Sequence, residues 1–227
     1  PGNVISYDNR RKIWALYWSI AQYGPIPFQK EECWLTAAIC RAGAVSKISG
    51  GISPVVAAIL KLWFCNDSFD CMKAGLVIKD PRGQHYRVYF NLAMILQDGG
   101  AHKLVFHIKG DAGTKMCMLC KNLLACETNE LDDDGIVVVT GSAVFENELD
   151  MATDEDVLGT VARLRLKKEE LSTGLFKTWQ QAVGMNYEPC GLLFDRKLEA
   201  AHVMRPVSQY AHDPMHLLFV NGVWHTV

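Results

Sequence analysis

No run of uncharged apolar residues in this 227-residue chain approaches the ~20 needed to span a bilayer, and no basic segment leading into a short apolar stretch opens it. A soluble, intracellular protein without a membrane partner is therefore expected. An excess of one charge is also missing: 23 Lys and Arg stand against 25 Asp and Glu, a formal net charge of -2. With no global basic field, contact with phosphates would have to come from local patches. No internal repeat or low-complexity tract is present. Cys117-Met-Leu-Cys120 has no second CxxC to accompany it. Gly110-Asp-Ala-Gly-Thr-Lys115 lacks the G-x-x-x-x-G-K-[ST] spacing of a phosphate loop and reads as a turn.

What is present is apolar material for a large core: 49% of residues are hydrophobic and 21% charged. The chain has eight cysteines, but a disulfide framework belongs to short secreted chains with weak cores. Cys33, Cys40, Cys65 and Cys71 lie in or beside apolar runs, which predicts buried free thiols in a reducing compartment. The chain opens on Pro1 and closes a few residues after the apolar Leu217-Leu-Phe-Val220, so both ends are expected to continue into a longer protein.

The aromatic and β-branched run at 13–20 predicts a buried strand, and Trp34–Cys40 a second. Ser53-Pro54 is a start signal for a helix over 54–64, with Ser53 as cap and Pro54 in the first turn. Leu76-Val-Ile78 and Tyr86–Leu96 flank the turn residues Pro81-Arg-Gly83, which predicts a hairpin. Its second arm becomes continuously apolar at Leu92–Leu96, as in a central strand covered on both faces, with helix 54–64 packed on one of them. A short helix over 101–108 is expected next, then an acidic turn at 131–135 and a β-branched run at 136–139. Thr153-Asp-Glu-Asp156 is a capping signature for an amphipathic helix over 154–171, with Val157, Val161 and Leu164 on one face.

Four groups of residues can carry chemistry or meet phosphates. Asp98 stands where the strand breaks into Gly99-Gly100, at the strand end where open α/β sheets present functional groups, although Asp before Gly is equally ordinary turn chemistry. Cys117 and Cys120 can reach one metal ion from a single turn. His212-Asp-Pro-Met-His216 sets two imidazoles and a carboxylate within one short segment, while Asp213 and Pro214 also fit a helix start. Cys126 and His225 are further ligand types without a distinctive spacing. Lys109, Lys115 and Lys121 form a small basic set near Asp98 that can meet phosphates.

Taken in order, these segments resemble the catalytic core of cut-and-paste DDE transposases of the CACTA (En/Spm-like) type. That family shows an aspartate in a D-x-P-A setting at a strand end, then G-C-x-x-C, and later D-x-M-H before an apolar helix. Here Asp98-Gly-Gly-Ala101 is followed by Cys117 nineteen positions after Asp98, and Asp213-Pro-Met-His216-Leu-Leu-Phe closes the pattern. Gly99 and Gly100 depart from the family's residues, and Met116 stands where glycine normally precedes the first cysteine.

The resemblance implies a mixed α/β, ribonuclease-H-like fold truncated at both ends. Residues 1–122 would form a partial core lacking its first strand, 123–209 an inserted α-rich segment, and 210–227 the D-x-M-H motif with the start of a helix. It implies Asp98 as the second carboxylate of a triad whose other members lie outside these residues, with Mg²⁺ as the catalytic metal of an intact parent. It also implies a structural Zn²⁺ held by Cys117, Cys120 and His216, with Asp213 or His212 as fourth ligand. Transposon-end DNA would be the partner, acted on in the nucleus, with a homo-oligomer as a further partner class. The chain alone would be inactive. The competing expectations are a non-catalytic, zinc-stabilised binding module, and an unrelated α+β enzyme in which a pocket joins a low-pKa cysteine to His212 or His216.

Overall fold

A computed structural model of the chain describes residues 12–24, 30–124 and 145–212. The fold is mixed α/β: several short helices surround a core edged by three two-stranded sheets. Strand β1 (Ile13–Trp18) pairs antiparallel with β2 (Leu35–Arg41), which runs into the single turn of helix α1 (Ala42–Val45). The predicted buried strand at 13–20 is corrected to a half-covered one. Trp14, Leu16 and Trp18 turn inward, Trp18 meeting Trp63 at 5.8 Å between ring centroids, while Ile13, Ala15 and Tyr17 are exposed. Period-2 alternation lets one face stay in solvent when a helical core covers only the other.

Helix α2 (Ser53–Phe64) carries Val56, Leu60 and Phe64 at four-residue spacing, and this stripe is buried. Pro54 occupies the first turn as expected. Ser53 does not cap: its buried hydroxyl donates to the Val105 carbonyl (2.5 Å) and accepts from the Leu192 N–H (2.7 Å). Tertiary partners took the hydroxyl because the helix start itself is buried.

The hairpin consists of β3 (Leu76–Lys79) and β4 (His85–Val88). The expected long second arm is corrected to two strands, since pairing stops at Val88 and β5 (Ile95–Gln97) belongs to a different sheet. Between them the Phe90 N–H bonds the Cys71 carbonyl, and Phe90 and Leu92 pack on the core. The apolar run at 92–96 therefore does not mark a central strand. Ile95 packs inward, Met94 and Leu96 are exposed, and among the described residues β5 pairs only with β6 (Tyr210–His212), in parallel.

Helix α3 (Gly99–Phe106) starts two residues before the expected 101–108 because Asp98 caps it. Helix α4 (Asp154–Glu170) has the expected capping box: the Thr153 hydroxyl accepts from the Asp156 N–H, and the Asp156 carboxylate accepts from the Thr153 N–H. Val157, Val161 and Leu164 form its buried face. Two further helices, α5 (Thr173–Val183) and α6 (Arg196–Ala200), lie in the stretch 123–209 expected to be α-rich, where the sequence reading assigns them no separate spans. Their signals were in the sequence: Ser172 caps α5, Gly184 ends it in the left-handed region, and Asp195 caps α6. Helices α2 to α6 contribute to one hydrophobic cluster, with Phe106, Leu164, Leu192 and Leu198 almost wholly enclosed. No helix among the described residues is long and apolar enough to cross a membrane. The predicted acidic turn at 131–135 and β-branched run at 136–139 lie outside the described residues.

Candidate functional site

Asp98 follows β5 directly and holds the first turn of α3. Its backbone is extended, its carboxylate accepts from the Ala101 N–H at 2.5 Å, and its carbonyl accepts from the His102 N–H at 2.8 Å. An acidic N-cap at the positive end of a helix is favourable in itself, so the turn role of Asp98 is real.

The parallel pairing of β5 with β6 sets Ile95 opposite Tyr210 and Gln97 opposite His212. The Tyr210 ring lies on the inner face of α3, 4.3 Å from the His102 ring and 6.0 Å from that of Phe106. Burial pushes the Tyr210 phenol above its ordinary range, and the nearby Cys117 and Asp98 charges push it in the same direction. The aspartate, the CxxC and the strand leading to the D-x-M-H segment are thus neighbours, although they are far apart in sequence.

The CxxC lies in a tight loop closed by a bridge between Lys115 and Leu124, with the Met116 N–H on the Leu123 carbonyl. The loop is fastened to the approach to α4: Ala152 N–H bonds the Leu119 carbonyl (2.9 Å), Lys121 N–H the Asp150 carbonyl (2.7 Å), and Asn122 Nδ2 the Glu148 carbonyl (2.8 Å). Met118 is buried and anchors the turn. The Leu119 N–H points at Cys117 Sγ, 3.4 Å away. Burial and the adjacent Cys117 raise the Cys120 thiol, while Lys115 acts against them. A cavity of about 10 Å³ beside Cys117 is lined in part by Lys115, Met118 and Thr160. It has room for a water and not for a substrate.

Cys117 and Cys120 supply two of the four ligands a structural zinc needs. Among the described residues no group of three or more His, Cys, Asp or Glu is arranged to hold a metal ion. Asp213 and His216, with Cys126 and His225, lie outside the described residues, and His212 is described only as backbone of β6. Asp111, the other acidic residue near Asp98 in sequence, is exposed and paired with Lys103.

The three lysines expected to meet phosphates have three different surroundings. Lys121 is paired with Asp150 (3.2 Å) and Asp156 (3.7 Å). Burial lowers the Lys115 ammonium, with Cys117, Asp156 and Cys120 opposing the shift. Lys109 is lowered by burial and then by Lys177. Sequence reasoning missed Tyr210 and His102; the spacing of His102 and Phe106 on one helical face was the available signal.

Of the four cysteines expected to be buried, Cys71 is, while Cys33, Cys40 and Cys65 are only half-buried; burial raises the thiols of Cys65 and Cys71. The described cysteines are all free. Compared with known proteins, the chain matches no family model, no curated protein and no solved structure.

Proposed function

We propose that this chain is part of a transposase-like DNA-processing protein, with Asp98 as one metal-binding carboxylate and the CxxC as half of a structural zinc site. The carrying observation is the parallel pairing of Ile95–Gln97 with Tyr210–His212. Chain ends leaving neighbouring parallel strands on one side are how α/β proteins gather functional groups, and here those ends lead into Asp98 and into the D-x-M-H segment. The ribonuclease-H-like core is the finer fold reading that goes with this function.

A pair of cysteine sulfurs suits zinc, a borderline-soft ion, and the remaining ligands on this reading are His216 and either Asp213 or His212. Magnesium would supply the phosphoryl-transfer chemistry, and this chain's part is the Asp98 carboxylate, oriented by Ala101 N–H. Two divalent ions need several converging carboxylates, and the resemblance assigns the others to segments outside these residues. The chain by itself is therefore inactive on DNA; in the nucleus it would act on transposon ends within a larger, oligomeric parent.

A second reading, a zinc-stabilised module without catalysis, is favoured by the use of the Asp98 carboxylate as a helix cap. Two measurements test these readings. Elemental analysis of purified protein should find one zinc per chain, lost in Cys117→Ser and Cys120→Ser; metal-free protein with unchanged stability would sink the zinc site. A nicking assay with Mg²⁺ should show no cleavage by the chain. Robust nicking abolished by Asp98→Asn, which keeps the cap and removes the charge, would mean the active site is complete within these residues.

A further inference from the structure

The sequence predicts the β3–β4 hairpin as part of the sheet, but the structure makes it a separate ribbon. Both faces are solvent-exposed: every residue of the two strands is exposed except Leu76 and Val88, which pair with each other at the base. Such a ribbon contributes little to the core, yet its apolar residues stay outside, with Val77 50%, Ile78 46% and Tyr86 47% exposed.

Residues paired across an antiparallel ladder share a face. Val77 opposite Arg87 and Lys79 opposite His85 make one face basic, and Ile78 opposite Tyr86 makes the other aromatic and apolar. The tip adds Arg82. Over residues 76–88 three cations, Lys79, Arg82 and Arg87, stand against one carboxylate, Asp80, giving +2 with His85 neutral in a chain whose net charge is -2.

That single carboxylate is used within the turn. Asp80 Oδ1 accepts from the Arg82 N–H (2.9 Å) and the Gln84 N–H (2.8 Å), and Gly83 takes φ 86° to close it. Among the described residues no acid lies within ion-pair distance of Lys79, Arg82 or Arg87. Arg87 is tied at the base through a hydrogen bond to the Ala74 carbonyl. The turn is closed by hydrogen bonds, and its Lys79 and Arg82 have no acidic partner at ion-pair distance among the described residues.

We infer that this ribbon is a docking surface for duplex DNA, with Lys79 and Arg82 meeting phosphates and the exposed Ile78 and Tyr86 face lying against sugar and base edges. A two-stranded ribbon with both faces bare fits the major groove of B-form DNA, about 12 Å wide, whereas the deep, narrow groove of A-form RNA excludes it. Strands of this length, on the order of 13 Å, reach across the groove without spanning a second one. The DNA-processing proposal supplies the polymer; the residues and the mode of contact come from the ribbon.

The test is binding of the whole chain to a short labelled DNA duplex, followed by fluorescence anisotropy across a salt series. The paired variant is Lys79→Gln with Arg82→Gln, two exposed positions outside the core; an unchanged thermal melt checks that the fold is intact. Unmodified protein should bind, and the double variant should bind at least about tenfold more weakly at low salt. Its log K against log salt slope should be shallower by about 2, since each phosphate contact contributes ~0.9. Equal affinity and slope in the double variant overturn the ribbon while leaving the DNA-processing reading standing, and loss of binding in Lys109→Gln with Lys177→Gln would then move the contact there. Tighter binding to an RNA duplex or to a single strand overturns groove docking. No binding to any duplex overturns both readings.

Discussion

His107 closes α3 in the left-handed region, with φ 57° and ψ 31°, and the Asn186 N–H bonds its carbonyl at 2.8 Å. Its Nε2 is buried without a partner among the described residues, and the ring faces Glu188 and the Gly50 carbonyl. Burial lowers its pKa below the ordinary 6.5, and Glu188 and the Gly50 carbonyl oppose that shift without reversing it. Unfolding exposes an imidazole that takes a proton more readily, so acid favours the unfolded chain. The contribution of His107 is fully present above pH ~6.5 and is lost as pH falls through the folded value. His107→Asn, which tolerates the left-handed backbone, should flatten this part of the profile when urea unfolding is compared at neutral and mildly acidic pH. Parallel profiles for the two proteins would remove His107 from the account.

At the scale of elements, the start of α4 has the clearest local specification. Thr153 and Asp156 satisfy each other's backbone N–H groups, and Asp154, Glu155 and Asp156 all sit at the positive end of the helix dipole. Asp154 also reaches beyond its helix, accepting from the Val207 N–H (2.7 Å) and the Ser208 N–H (3.0 Å). Thr153→Ala should cost ~0.5–2 kcal/mol in chemical denaturation, with Thr153→Ser recovering most of it. No loss in the alanine variant would mean that tertiary packing alone fixes the helix start. The start of α4 was legible because a capping box is written in four adjacent residues. The break in the second hairpin arm was not, because Leu92–Leu96 is apolar throughout and the sequence does not say which of its residues turn inward.

At the scale of the molecule, Ser53 joins segments that are distant in the chain: the start of α2, the last turn of α3 and the Leu192 turn. Its hydroxyl is fully buried and uses both donor and acceptor capacity. Ser53→Ala leaves the Val105 carbonyl and the Leu192 N–H enclosed without this partner, and a loss of ~1–3 kcal/mol is expected from denaturant unfolding. A loss confined to a few tenths would show that water replaces the hydroxyl. Because the same core receives α4 and α5, the expected effect is a lowered midpoint of one cooperative transition.

The sequence by itself determined the helix spans at 54–64 and 154–171 nearly to their ends, the positions of the two early strands and the hairpin turn. These follow from periodicity, capping and turn chemistry, which act between residues a few positions apart. It also pointed to Asp98 and the CxxC as candidate sites, but could not say that Asp98 would spend its carboxylate on Ala101 N–H or that Lys121 would be paired with Asp150 and Asp156. Those outcomes depend on which surfaces meet. Only the tertiary structure decided that β5 takes its parallel partner from residues 210–212, that the Tyr210 ring lies against His102 and Phe106 of α3, and that the β3–β4 ribbon stands out in solvent. Strand pairing joins backbone groups that are the same in every residue, so its choice of partner is set by the packing of the whole chain and not by any local pattern.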